Sequence, residues 1–168
     1  MGVYRRFLGV VGDHGGDTVN GFQQAKALGN KGESLLDRMF SVFFDVKPAT
    51  PEQQMHGIDR VMVGKQAKQK ITVEYKTDYT AATSGNAFIE LESGDKSGWA
   101  LTCEADFIAY IVPGKHVYVF RPCTLRNHLS QWKEECIVKS AQNPSYHATG
   151  LLVPLSTLAG ICETFIAV

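Results

Sequence analysis

The hydrophobic period changes partway along this chain, and that change limits what the chain can fold into. Between residues 31 and 44, Leu35, Leu36, Met39, Phe40 and Phe43 recur at steps of three and four, the pattern of one buried helical face. From residue 57 the period falls to two. Ile58, Arg60 and Met62 alternate with Asp59, Val61 and Val63, and Ile71, Val73 and Tyr75 alternate with Thr72, Glu74 and Lys76. Both runs read as strands with one face turned towards a core. Phe107–Val112 is apolar throughout and reads as a strand covered on both faces. Helical and strand patterns in this order predict an α/β (α+β) domain with a central mixed β-sheet flanked by helices.

The remaining elements follow from local signals. Asn30, with Glu33 three residues on, predicts an N-cap and capping box for the helix, and Pro48 and Pro51 close that section. Ala87–Leu91 reads as a third strand, forming an antiparallel meander with the two before it. Thr80–Gly85 is a small-residue loop, and a short helical turn is expected over Trp99–Glu104. His116–Phe120 forms a hairpin with the apolar strand across Pro113-Gly114-Lys115. Pro122 starts a helix with Leu125, Leu129 and Trp132 on one side. Gly150–Leu155 is extended, and Ser156 caps a last turn through Leu158. Residues 1–30 read as an N-terminal arm or irregular lead-in. They carry a strand over Tyr4–Val11, a glycine-rich loop at Asp13–Asp17 and a short helix near Val19–Leu28. Residues 31–168 read as the main domain.

Seventeen Lys and Arg residues balance seventeen Asp and Glu residues in 168, which excludes a histone-like binder acting through bulk charge. With 44 % hydrophobic residues the chain can bury a core. No apolar run approaches the ~20 residues of a membrane-spanning helix, and Phe7–Val11 is too short for a signal-peptide core. The expected setting is the cytoplasm, or the host-cell cytoplasm for a viral protein, without membrane association. Cys103, Cys123, Cys136 and Cys162 are scattered and form no CxxC pair, so reduced thiols are expected rather than a zinc site. Trp99 and Trp132 are expected in the core, Asp106 as a turn residue and His56 on the surface.

One constellation carries chemistry. Glu74 and Lys76 share a strand face, and a short turn joins their strand to that of Asp59, so the two carboxylates can lie side by side. Carboxylates converging on one point repel, and a divalent cation with a preference for hard oxygen ligands removes the repulsion. That cation is expected to be Mg²⁺, with Mn²⁺ as a substitute, on Asp59 and Glu74. Lys76 adds a positive charge that can orient a water or stabilise a phosphate. This is equipment for phosphodiester hydrolysis. It does not suit acyl transfer, because no nucleophile is paired with a histidine.

Gly57-Ile58-Asp59 followed by Val73-Glu74-Tyr75-Lys76 resembles the PD-(D/E)xK nuclease superfamily, over roughly residues 31–121. The segments Thr83–Glu90, Ser97–Ala100 and Glu104–Phe107 resemble its phage and Holliday-junction-resolvase-like members. The resemblance implies a restriction-endonuclease-like core and a metal-dependent endonuclease acting on DNA, including branched DNA. It gives Asp59 and Glu74 as metal ligands, Lys76 as the residue assisting the water, and Glu33 as the acidic residue on the preceding helix. Ile58 stands where the family motif has its nominal proline. Cutting both strands calls for two active sites, so a homodimer or higher homo-oligomer is expected.

Arg60, Lys65, Lys68 and Lys70 lie between the two carboxylates with no acidic residue among them, and such a stretch can supply phosphate contacts. Ser84 and Asn86 are further candidates for DNA contact. Two other readings compete with the nuclease: a non-catalytic nucleic-acid-binding protein of the same fold, and a structural or interaction domain.

Overall fold

In the computed structural model, residues 18–142 and 147–168 are described, with side chains from residue 27 onward except at 142. The expected strand Tyr4–Val11 and loop Asp13–Asp17 lie outside these residues. The chain is a mixed α+β structure with a central mixed sheet flanked by helices. Helix α1 (Thr18–Phe40) leads into strand β1 (Phe44–Pro48), helix α2 (Pro51–Met55) and strands β2 (Arg60–Gly64) and β3 (Lys70–Thr77). Helix α3 (Ala81–Ser84), strands β4 (Asn86–Ser93) and β5 (Lys96–Ser97) and helix α4 (Trp99–Thr102) follow. Then come strands β6 (Phe107–Val112) and β7 (His116–Phe120), helix α5 (Pro122–Glu135), strands β8 (Ile137–Gln142) and β9 (His147–Pro154), helix α6 (Leu155–Ala159) and strand β10 (Thr164–Ala167).

The strands form two sheets. The larger has six strands in the order β1-β2-β3-β6-β7-β10, and the smaller has four in the order β5-β4-β9-β8. Within the larger sheet β3 and β6 run parallel, Glu74 beside Ile108 and Lys76 beside Tyr110, whereas the other neighbours are antiparallel. The side chains of β3 therefore divide between two cores. Val73 and Tyr75 join Met62, Ala109, Ile111 and Val117 under Leu36 of α1. On the opposite face, Ile108, Tyr110 and Phe120 pack with Ile89 and Leu151 of the smaller sheet and with Trp99, Leu125 and Trp132 from the helices.

Two expectations about the elements around β3 are corrected. α1 continues through residue 30, so Asn30 sits inside the helix, where its carbonyl accepts a bond from Ser34 at 2.8 Å, and the Asn30–Glu33 capping box does not form. Gly32 is a contact point: a Cβ there would overlap the side chain of Thr77, so only glycine lets α1 approach β3 this closely. The three-strand meander is also not one sheet. β4 leaves it to pair with β9, from Asn86↔Pro154 to Ser93↔Ala148, and β6 takes the expected place beside β3. The meander is completed instead by β1, hidden in the sequence behind Phe43 and ended by an edge-strand proline, Pro48.

Other expectations hold. Phe107–Val112 and His116–Phe120 form the hairpin, and Leu125, Leu129 and Trp132 are the buried side of α5. All four cysteines are free thiols, and Trp99 and Trp132 are core residues. No helix among the described residues is long and apolar enough to cross a membrane.

α1 is fixed to the sheet by one buried fork. Arg60, 7 % exposed, donates from Nε and Nη2 to the two carboxylate oxygens of Asp37 at 2.8 and 3.0 Å, and from Nη2 to Glu33 at 2.9 Å. Tyr75 adds its hydroxyl to Asp37 at 3.1 Å and its ring beneath the guanidinium. Removing one partner of a buried pair leaves charge uncompensated. Arg60→Ala is therefore expected to cost about 3 kcal/mol in urea denaturation, whereas Lys68→Ala on the exposed hairpin tip changes stability by less than about 0.5 kcal/mol.

Candidate functional site

The site forms where β2 begins and β3 ends. Strand pairing starts at Arg60↔Val73, and Asp59 stands one residue outside it. Its N–H donates to the Val73 carbonyl at 3.0 Å and its carboxylate accepts the Tyr75 N–H at 2.9 Å. These two bonds straddle Glu74 and turn Asp59 in beside it. The approach to Asp59 depends on Gly57, which has a left-handed backbone (φ +70°) with its would-be Cβ 3.1 Å from the Cys103 backbone, so a side chain there is doubly disfavoured. The Cys103 thiol donates to the Gly57 carbonyl at 3.3 Å and the Glu104 N–H to the His56 carbonyl at 2.9 Å. The loop after α4 is thereby clasped to the loop before β2.

Glu74 and Lys76 are 7 % and 4 % exposed, and the ammonium of Lys76 bonds the Glu74 carboxylate directly. The same ammonium lies 5.6 Å from the centre of the Trp99 ring, a cation–π distance. Burial raises the Glu74 pKa; Lys76 opposes that rise and Asp59 adds to it, leaving it at about 7. Burial alone would lower the pKa of Lys76, but Glu74 and Asp59 outweigh it and hold the lysine above its ordinary value. Lys76 is thus a fixed cation, and Glu74 takes up a proton readily near neutrality. Two carboxylates set side by side mark a position that a divalent cation can take.

Among the described residues, no group of three or more His, Cys, Asp or Glu side chains converges as a metal cage. Mg²⁺ does not require one, because it is commonly held by one or two carboxylates and completes its shell with water and phosphate oxygens. The donor set of Asp59 and Glu74 fits that description.

The other expected residues divide. Glu33 is drawn to Arg60 from α1, on the opposite side of the sheet from Glu74. Arg60, expected on DNA, is buried on that side too, because it is in phase with Met62; its Nη1 donates to the Asp59 carbonyl at 3.0 Å. Lys65, Lys68 and Lys70 are exposed at the β2–β3 turn, and Lys65 reaches the Ser41 carbonyl at 2.6 Å. Lys70 is four residues from Glu74, roughly 13 Å along the strand. Ser84 and Asn86 bond one another across Gly85, including Asn86 Nδ2 to the Ser84 carbonyl at 2.9 Å. They shape the turn into β4. Asp106 is a turn residue, its carboxylate accepting the N–H and hydroxyl of Thr72. His56 is half-exposed and meets Glu104 at 3.1 Å.

Sequence reading missed Asp37 and Cys103. Asp37 had a signal: it lies four residues after Glu33, on the same helical face. The Cys103 thiol is pushed up to about 12, first by burial and then by the charge of Glu74, so it is an inert wall of the site rather than a nucleophile. Asp78, 3 % exposed, is fully engaged by Tyr110, by Ala81 N–H at 2.9 Å and by Phe88 N–H at 3.3 Å. It ties the two sheets together.

Comparison of the chain with protein-family models, with curated proteins and with solved structures finds no match.

A raised carboxylate pKa means that the folded state takes up a proton more readily than the unfolded chain. The contribution of Glu74 to stability is therefore complete below pH 4.5 and declines as pH rises through about 7. In metal-free buffer, wild type should lose stability relative to Glu74→Gln across that window, by up to roughly 1.4 kcal/mol for each step of one in pH. Denaturant midpoints of both proteins from pH 4.5 to 8 check this; a constant difference would contradict it.

Proposed function

We propose that this protein is a Mg²⁺-dependent endonuclease that hydrolyses DNA phosphodiester bonds, with a restriction-endonuclease-like core. The observation carrying the reading is the placement of Asp59 against Glu74 with Lys76 buried beside them. A structural role accounts for the Lys76–Glu74 pair, since each charge compensates the other. It does not account for a second carboxylate turned in next to Glu74, which raises the electrostatic cost of the arrangement.

Asp59 and Glu74 would hold the metal, Mg²⁺ or Mn²⁺, which would supply Lewis-acid stabilisation of phosphate charge and lower the pKa of a bound water. This chain's residues do the rest. Tyr75 N–H holds one oxygen of Asp59 at 2.9 Å, so the carboxylate cannot swing away from the site. Lys76 stays protonated beside Glu74 and is placed to stabilise charge developing on a phosphate oxygen. Trp99 and Cys103 exclude bulk water from the inner side of that lysine, which strengthens its field. Glu33, anchored by Arg60, acts from behind the sheet by fixing α1. Lys65, Lys68 and Lys70 are proposed as outlying phosphate contacts on a substrate long enough to reach the β2–β3 turn, and Ser84 and Asn86 as contacts beside α3. A homodimer would bring two such sites to the two strands of a duplex.

Incubation with supercoiled, linear and branched DNA should give cleavage with Mg²⁺ or Mn²⁺ and none with EDTA. Lys76→Ala and Asp59→Asn should each lower the rate at least about 100-fold, with melting curves showing that both variants fold. Metal-independent DNA binding with no cleavage of any substrate would replace this reading with that of a non-catalytic binder. Neither binding nor cleavage would leave a structural domain.

A further inference from the structure

We infer that Arg126, on the first turns of α5, is a phosphate-contact residue for the strand bound over Asp59, Glu74 and Lys76. The inference rests on the nucleic-acid reading above and adds to it a contact at the mouth of the site.

The arginines near the site differ in what they have left to offer. Arg60 is buried between Asp37 and Glu33, and Arg121 is paired with Glu163 at 2.5 Å. Arg126 is exposed, and among the described residues it meets no carboxylate. Its one bond runs from Nη1 to the carbonyl of Cys103 at 3.1 Å. That bond uses a single N–H of five and fixes the guanidinium on the loop that walls the site. Cys103 is the link: its thiol feels the charges of Glu74, Lys76 and Arg126 together. The same residue bonds Gly57, two positions before Asp59. An uncompensated guanidinium thus stands across one residue from the two carboxylates, with four of its five N–H groups making no bond among the described residues.

A planar fork of N–H groups matches the non-bridging oxygens of a phosphodiester. Buried Lys76 is occupied by Glu74, and the lysines of the β2–β3 turn are roughly 13 Å or more along the strand. Arg126 therefore supplies a positive charge next to the site at the surface, where a phosphate adjoining the one under attack would lie. α5 holds the residue rigidly, since Leu125 and Leu129 on either side of it are buried in the core.

The test is fluorescence anisotropy with a labelled DNA duplex in Ca²⁺, across a NaCl series, for wild type, Arg126→Ala and Arg126→Lys. Losing one phosphate contact should weaken binding roughly five- to tenfold and reduce the slope of log K against log salt by about 0.9. Arg126→Lys keeps the charge and should keep the slope, which a purely structural role would not predict. Wild-type binding with an unchanged affinity and slope in Arg126→Ala would overturn the inference while leaving the nuclease reading intact. Conversely, the expected slope change in a protein that never cleaves DNA would uphold the contact and remove the enzyme. No binding by wild type would remove both.

Discussion

A lysine ammonium cannot be buried without negative charge to hold it, and Lys76 organises this protein's interior around that requirement. It sits on the inner face of β3 with Glu74 against it and Trp99 behind it. Glu74 answers the charge, and Asp59 then adds a second carboxylate where one would suffice for neutrality. Burial, and then that excess, keep the Glu74 proton within easy reach near neutral pH. The same excess makes the place attractive to a divalent cation, so the electrostatics of the fold and the proposed chemistry have one origin.

The opposite face of β3 solves a mirror problem. There a buried arginine is satisfied by two carboxylates of α1, and the two arrangements meet at Asp59. Its carbonyl accepts from Arg60 and its carboxylate from Tyr75 N–H. The helix is thus connected to the site through hydrogen bonds that cross the strand rather than through a side chain reaching into it. Glu33 belongs to this support, which explains how an acidic residue on α1 can bear on the site without entering it.

Much of the fold was legible because hydrophobic period reports directly on burial. The helix before residue 40, the β2–β3 hairpin, the apolar β6, the β6–β7 hairpin and the buried stripe of α5 all follow from spacing alone. Partner choice was not legible. Ala87–Leu91 reads as a strand in either sheet, and whether it neighbours Ile71–Thr77 or His147–Pro154 depends on pairing with a segment far along the chain. β1, β8 and β10 are edge strands, where weak alternation and exposed apolar side chains blur the period. The role of Gly32 was not legible either. Its meaning lies in the approach of Thr77, which sequence spacing does not contain.

The site divides along the same line. Sequence by itself determined that Glu74 and Lys76 share a face, because alternate residues of a strand must, and that Asp59 could stand beside them across a short turn. It also held the fate of Arg60, in phase with Met62 and so committed to the core, although a charge surrounded by lysines read as a surface residue. Only tertiary structure decided that the shared face is buried, since that depends on β4, α4 and α5 closing over it. Only tertiary structure brought Cys103 and Arg126 from distant parts of the chain to the edge of the carboxylates. Periodicity fixes the direction of a side chain relative to its own strand; what it meets there is set by contacts between segments that the order of residues does not encode locally.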